Sequence, residues 1–482
     1  MLTFRSNTNL WSLVVAFAVL TACLTAACGG EKTEPAVDGD EDGDGDADID
    51  ETDPDPVTEP TKLLLGYGEA DVSPPLGTVL GGFGAPGGVR KITAIHDPLL
   101  AQAALFVNDA GEAFLLISLD SAGYFFEFGD WGPGVRELRR TIAERLADKV
   151  TLLPEHILVA SSHSHAATDL VGFWQRVKEG VPKDLLGWHV EKITEAAAAA
   201  ADKLEQVELY YGETELVGYS GRDRQCSEII DNSVSVLQAR YAGGDAPVTI
   251  VDYAKHPTVL GERNVEASAD WVWGLRDVLG AQTGGPVMYL QGFVAAVHDG
   301  PKMSEIEGAD DFERAYETGR VVAEAAGSIL DDLTKGETYA IRHQWGHYES
   351  PGDGEYLVTV YGLFEMPKRA ITTDGTGRFW VKTLEVSWHL LGPAEFAVFP
   401  GEGTPEYSLA LKERMVSPAH FVVGLGNDCI GYLIDPESAA ADTSGQLAGY
   451  ELKMGLGPEG GPRTWTAMES LGWFDGGWRG ED

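Results

Sequence analysis

Basic side chains are scarce in this chain: 35 Lys and Arg stand against 76 Asp and Glu, a formal net charge of -41. A phosphate backbone needs a basic surface, so nucleic acid is excluded as a partner. Cysteine is also nearly absent, with four in 482 residues. Cys23 and Cys28 belong to the N-terminal leader, and Cys226 with Cys429 can make one disulfide but no framework for a domain of this size. The leader's apolar run, Leu10 to Leu20, is too short to span a bilayer. There is no internal repeat and no second low-complexity linker, so the residues after the leader read as one continuous unit.

What is present begins with an address. Arg5 followed by that apolar run has the form of a signal segment, and LTAC at Leu20–Cys23 matches a bacterial lipoprotein cleavage box over residues 1–23. Cys23 is then the acylated anchor; Cys28, in TAAC, is the alternative, with Thr25 where an aliphatic residue is preferred. Residues 24–61 are acidic, rich in Gly and Pro and nearly free of apolar side chains, which predicts an extended, self-repelling linker. Within it Asp40, Asp42, Asp44, Gly45, Asp46, Asp48 and Glu51 follow the spacing of a calcium loop without its flanking helices. A solvated spacer is the plain reading and weak Ca2+ binding the other. The expectation is an exported lipoprotein of the bacterial cell envelope, held on the membrane by a lipid and exposed by its tether.

Residues 62–482 alternate two periodicities. Strands are expected at 100–107, 114–119, 156–161, 208–211, 233–241, 248–254, 286–290, 340–345, 356–360, 381–387, 395–399 and 420–425. Helices are expected at 134–149, 184–205, 267–279, 310–333 and 405–415. This is an α/β pattern, with mixed β-sheets flanked by helices.

Four of the strands end close to a group able to hold a metal ion: HILVASSHSH (His163, His165), VTIVDYAKHP (His256), EFAVFPGE (Glu402) and HFVVGLGNDCIGY (Tyr432). Loops after strand ends are where layered α/β proteins collect their ligands. In an extended segment i and i+2 share a face, so His163 and His165 can enter one cavity. Each group also has a plain reading: a hydrogen-bonded loop histidine, a solvated turn carboxylate, an aromatic core residue. Ala167 stands where binuclear H-x-H-x-D-H sites carry Asp, which favours one metal over two.

The blocks GYGEADVSPPLG, IHDPLLAQAALFV, LLISLDSAG, SSHSH, AKHPT, FPGEGT and GLGNDCIGYLIDPESAAADTSGQLAGYE resemble the catalytic domain of the neutral, non-lysosomal ceramidases. The resemblance runs from about Gly66 to about Glu451. It implies a zinc ion held by His163, His256, Glu402 and Tyr432, with zinc-bound water attacking the amide bond of an N-acyl lipid. His165, beside ligand His163 but not assigned to the metal, is the candidate proton carrier, and Tyr432 a loose fourth ligand and oxyanion donor; Arg222 resembles the family's substrate-facing arginine, with Arg224 the competing assignment and a plain surface arginine the other reading. Asp120, Asp270 and the pair His96-Asp97 match acidic or neighbouring positions, either as supports of a ligating imidazole or as caps and turns.

The sequence departs from the family in three places. Gly300 replaces a serine implicated in ceramidase catalysis, beside His298-Asp299; the segment after His165 lacks the family's Gly- and Pro-rich run; and with fifty residues after Tyr432 the family's C-terminal immunoglobulin-like domain is not expected here. The favoured expectation is a ceramidase-like zinc amidohydrolase of sphingolipid or other N-acyl metabolism. A zinc hydrolase of an ester or phosphoester bond, and a catalytically weak surface lipoprotein using the fold for binding, are the other two readings.

Overall fold

The computed structural model describes residues 59–84, 89–222, 227–356, 358–359, 369, 371–442 and 450–472. The leader with Cys23 and Cys28, the calcium-like spacing, Arg224 and Cys226 lie outside the described residues. Among the described residues no helix is long and apolar enough to cross a membrane.

Eight principal strands build the larger sheet: β1 (Leu63–Asp71), β2 (Leu100–Asn108), β3 (Ala113–Leu119), β4 (Ile157–Ser161), β5 (Glu205–Glu215), β6 (Ser233–Tyr241), β7 (Val248–Tyr253) and β8 (Val287–Gln291). Their order is β8-β7-β6-β5-β1-β2-β3-β4, with Thr334–Lys335 paired to β5. The middle of the sheet is antiparallel, while its two outer pairs, β3 with β4 and β7 with β8, are parallel. A second sheet runs β9 (Ile341–Pro351), β10 (Phe379–Leu391), β11 (Ala394–Val398) and β12 (Ala419–Val423), and its β11/β12 pair is again parallel.

Parallel neighbours require a crossover, and each pair has a helix in that place. They are α1 (Val135–Leu146) between β3 and β4, α3 (Trp271–Thr283) between β7 and β8, and α5 (Pro405–Lys412) between β11 and β12. The longer remaining helices are α2 (Lys183–Ala201), α4 (Asp311–Gly327) and α6 (Gly460–Ser470).

Side-chain alternation sorts the strands into layers. On β2, Ala101, Ala103 and Leu105 face α1 and α2, whereas Ala104 and Phe106 face the second sheet. The inter-sheet core joins Leu65, Phe114 and Ile250 to Phe396, Val398 and Phe421. α3 and α4 cover the β6–β8 end of the larger sheet, and α5 and α6 cover the outer face of the smaller one. The result is four layers, helix, sheet, sheet, helix, and the expected α/β class with flanked mixed sheets is what the chain adopts.

Every expected helix is present and most expected strands fall within two residues of their ends; the three that begin at 208, 340 and 381 run longer. Three elements differ. The β-branched run at 356–360, expected as a strand, is helical at Glu355, Tyr356, Val358 and Thr359, with Val358 N–H bonded to the Gly354 carbonyl at 2.8 Å. Strand β1 is interrupted in sequence by Gly66 and Gly68, where a Cβ would lie 1.9 Å from the Ala200 carbonyl oxygen and 2.2 Å from that of Ala196. These glycines let the alanine face of α2 rest directly on the sheet. α6 opens on Gly-Gly-Pro, which reads as a turn. Cys429, one member of the possible pair, is a free, buried thiol.

Candidate metal centre

The three crossover units deliver their strand ends to one place. His163 and His165 follow β4, His256 follows β7, Glu402 follows β11, and Tyr432 follows β12. The segment after β12 closes the arrangement. The Asn427 N–H bonds the Val159 carbonyl at 2.8 Å, and its side-chain oxygen accepts from the Val159 N–H at 2.9 Å. Residues 425–427 thereby run along the open edge of β4. Glu402 and Tyr432 pair as a short parallel bridge, and the Glu402 N–H donates to the Gly431 carbonyl at 2.9 Å.

Backbone carbonyls fix two of the imidazoles. His163 Nδ1 lies 2.7 Å from the Ala122 carbonyl and His256 Nδ1 lies 3.0 Å from that of Val297. A carbonyl only accepts, so both Nδ1 atoms carry the proton and both Nε2 atoms present lone pairs inward. There they meet a carboxylate: His256 Nε2 is 3.1 Å from Glu402 Oε2, and His163 Nε2 is 3.6 Å from Glu402 Oε1. Two neutral imidazole lone pairs facing carboxylate oxygens repel unless a cation or a proton lies between them. The donor set, two nitrogens and one oxygen with their outer N–H groups already bonded, therefore fits a divalent ion such as zinc.

His165 stands apart in one respect. Its Nε2 is 3.2 Å from His163 Nε2, and the nitrogens of His163, His165 and His256 lie within 4.8 Å of one another, so it can join a metal cluster. Yet its Nδ1 is buried without a hydrogen-bond partner, unlike those of His163 and His256. No outer bond fixes its ring as a ligand.

Charge follows the same geometry. Burial raises the Glu402 carboxyl, but His163 and His256 outweigh it and hold the group well below the usual range. Burial pulls His163 down and the Glu402 charge more than restores it; for His256 burial prevails. Burial, reinforced by His163 and His256, drives His165 far down, so its ring is neutral. Burial and the Glu402 charge keep the Tyr432 phenol protonated, although part of its ring reaches the cleft. Glu451 is a buried carboxyl that sequence reading missed. Its Oε1 accepts from the Ala296 N–H at 2.9 Å, and its Oε2 has no partner.

Burial, with the Glu402 charge adding, raises Glu451 from 4.5 to about 8. The folded protein thus keeps a proton that the unfolded chain releases, and stability falls as pH rises between these two values. Denaturant midpoints of the metal-free protein across that window are expected to decline. The decline should flatten in Glu451→Gln; an equally steep slope in the variant would show that another group carries it.

Other sequence candidates sit elsewhere. The Arg222 side chain is inaccessible to solvent, bonded to Glu406 at 2.5 Å and 3.4 Å from Ser438 Oγ. It is not among the residues lining the cleft, so the expected substrate-facing role does not match its position. Asp120 forms a two-pronged pair with Arg276, and Asp270 accepts from the Val259, Leu260 and Trp271 N–H groups. Asp97 bonds His96 and the Ala269 N–H. None of the three touches a candidate ligand; they brace the scaffold. A Cβ on Gly300 would lie 2.3 Å from the Gly218 carbonyl oxygen, so the backbone here has no room for the family's serine.

Backbone strain concentrates at the site. Of six non-glycine residues with positive φ among the described residues, four (His163, Ala296, Leu425 and Asn427) lie in segments that build it. Such conformations cost about 1–3 kcal/mol each and persist only where packing dictates them.

His163 and His165 open onto a small cleft, about 90 Å³ in volume and partly open to solvent. Its walls are mostly apolar, with Phe125, Val171, Phe173, Trp174, Ile430 and Met454 beside Tyr432 and Tyr450.

No protein-family model and no curated protein matches the sequence. Among solved structures the chain is similar to the crystal structure of neutral ceramidase from Pseudomonas aeruginosa, at 17% identity and a TM-score of 0.64 over 86% of this chain and 74% of that one. It is similar also to a ceramidase complexed with C2, at 17% identity and a TM-score of 0.65 over the same shares. The chain therefore has a divergent ceramidase-like fold.

Proposed function

We propose that this protein is a zinc-dependent hydrolase that cleaves the amide bond of an N-acyl lipid or a related N-acylated molecule. One observation carries the reading: His163 and His256, each with its outer N–H tied to a backbone carbonyl, aim bare nitrogens at Glu402 on the floor of an apolar cleft. The ceramidase-like fold supports the choice of an amide.

His163, His256 and Glu402, together with Tyr432, would hold a zinc ion, and such an ion would supply Lewis acidity for the carbonyl and for water. The chain's own groups supply the remainder. Tyr432, kept protonated, donates its O–H toward the oxygen where negative charge develops. His165, neutral and not fixed as a ligand, takes the proton of the attacking water and returns it to the leaving amine. The apolar walls hold the acyl part and exclude bulk water. On the sequence alone, we place the enzyme on the cell envelope through a lipid at Cys23.

The closed backbone at Gly300 favours a second reading, a binding module of weak catalysis, because the family's serine has no counterpart there. The test is metal analysis of the wild type with turnover of matched amide, ester and phosphodiester substrates. The expected result is about one zinc per chain and hydrolysis of the amide in preference to the others. Bound metal with no turnover would put the binding module ahead; hydrolysis of only the ester or phosphodiester would move the enzyme to another bond class.

A further inference from the structure

His165 is held in a different manner from its neighbours in the metal centre. The rings of His163 and His256 are each tied to a backbone carbonyl through Nδ1, whereas the His165 Nδ1 is buried with no partner. What is tied at His165 is the main chain. Its N–H donates to the Pro257 carbonyl at 3.0 Å, and its carbonyl accepts from Arg90 Nη2 at 2.7 Å.

The same guanidinium grips two more segments. Nη2 also donates to the Gly81 carbonyl, and Nη1 donates to the Asn264 carbonyl at 3.0 Å. The Gly81 N–H in turn donates to the Ala167 carbonyl at 3.0 Å, just past His165. Arginine suits such a junction because its planar fork offers several donors in fixed directions, and carbonyls only accept. Burial lowers the Arg90 pKa to about 10, so the side chain keeps its charge at neutral pH.

Packing supports the ring itself. Phe83 meets the His165 imidazole edge to face, 4.7 Å between centroids, and the Arg90 guanidinium carbon lies over Phe83 at 5.2 Å. Gly82 has a φ of 91°, and a Cβ there would lie 2.1 Å from His165 Cγ. The imidazole is thus located by its backbone and by shape. No hydrogen bond at Nδ1 has to break when a proton moves through the ring.

We infer that Arg90 is a positioning residue: by joining the Gly81, His165 and Asn264 carbonyls it keeps the His165 ring beside His163 Nε2 while leaving Nδ1 unbonded. The inference rests on the hydrolase reading for what His165 does, but the junction can be tested without turnover.

The experiment uses the full chain loaded with zinc, with Arg90→Ala, Arg90→Lys, His165→Ala and the double variant Arg90→Ala, His165→Ala. Zinc content, kcat and KM for an N-acyl amide are measured beside isotope-labelled imidazole spectra, in which the His165 signals are those missing from His165→Ala. Arg90→Ala is expected to keep its zinc and its KM and to lose about 10²-fold in kcat, the cost that a displacement of about 1 Å can carry. Its His165 signals should shift or broaden while those of His163 and His256 stay. The double variant should be no slower than His165→Ala, because a residue acting only through His165 has nothing left to place. Arg90→Lys keeps the charge and one donor head, so it should recover part of the loss; where Arg90→Ala does not fold, it carries the same comparison.

Losses that multiply in the double variant would overturn the inference, as would zinc lost from Arg90→Ala or His165 signals left unchanged there. If the wild type turns over no amide but Arg90→Ala displaces the His165 signals, the hydrolase reading fails and the junction stands. If the wild type hydrolyses amides and Arg90→Ala matches its kcat, the positioning role fails and the hydrolase stands.

Discussion

His163→Ala is expected to release the bound metal and lower amide turnover by about 10³-fold or more, because a Lewis acid contributes several kcal/mol to the transition state. The alanine removes the Nε2 lone pair and leaves Glu402 facing His256 alone. His165→Ala gives the informative contrast. With its Nδ1 unpartnered, His165 is assigned to proton transfer, so its loss should leave zinc bound and reduce kcat by about 10²–10⁴-fold. The pair is read by metal analysis and by kcat at saturating substrate. Metal lost equally from both variants would make His165 a ligand. Full activity in metal-free His163→Ala would end the metal mechanism.

The second large effect concerns stability. Glu385→Ala is expected to destabilise the fold by about 3–5 kcal/mol, the usual cost of stripping one partner from a buried ion pair. Arg139 on α1 is 2% exposed and Glu385 on β10 is 3% exposed, with Nη1 and Oε1 2.7 Å apart. The same Oε1 accepts from the Asn427 side-chain amide at 3.1 Å, and Asn427 grips the edge of β4. Removing the carboxylate leaves a guanidinium that water cannot reach and whose Nη2 already lacks a partner. Urea midpoints should shift with little change in slope. An Arg139→Met, Glu385→Leu double variant should recover most of the loss, because it removes both charges. A shift below about 1 kcal/mol in Glu385→Ala would place the pair in the class of weak, hydrated bridges.

The sequence was most legible where one periodicity ran unopposed. Strands such as AFLLISL and VTIVDY, and helices bounded by Asp310 or by Pro405, carry their structure in local spacing and caps. The residues at the four strand ends were legible too, since short polar punctuation after an apolar run marks a loop, and the structure brings His163, His165, His256, Glu402 and Tyr432 together. What stayed hidden depends on partners far along the chain. Strand β1 is a strand because α2 offers alanines to its glycines, and Val358 and Thr359 are helical against their β-branching. Ala122 and Val297 fix the imidazoles through carbonyls that any residue possesses. Asp120, Asp270 and Arg222 drew notice as charged residues near the right blocks, yet their partners are Arg276, a helix N-terminus and Glu406.

The three crossover helices carry a further implication for the order of assembly. Because His163, His256 and Glu402 each follow a strand of a different parallel pair, a nascent chain holds at most two of the donors until Glu402 is made. An ion that needs all three donors would therefore be held only after the last of these segments is in place.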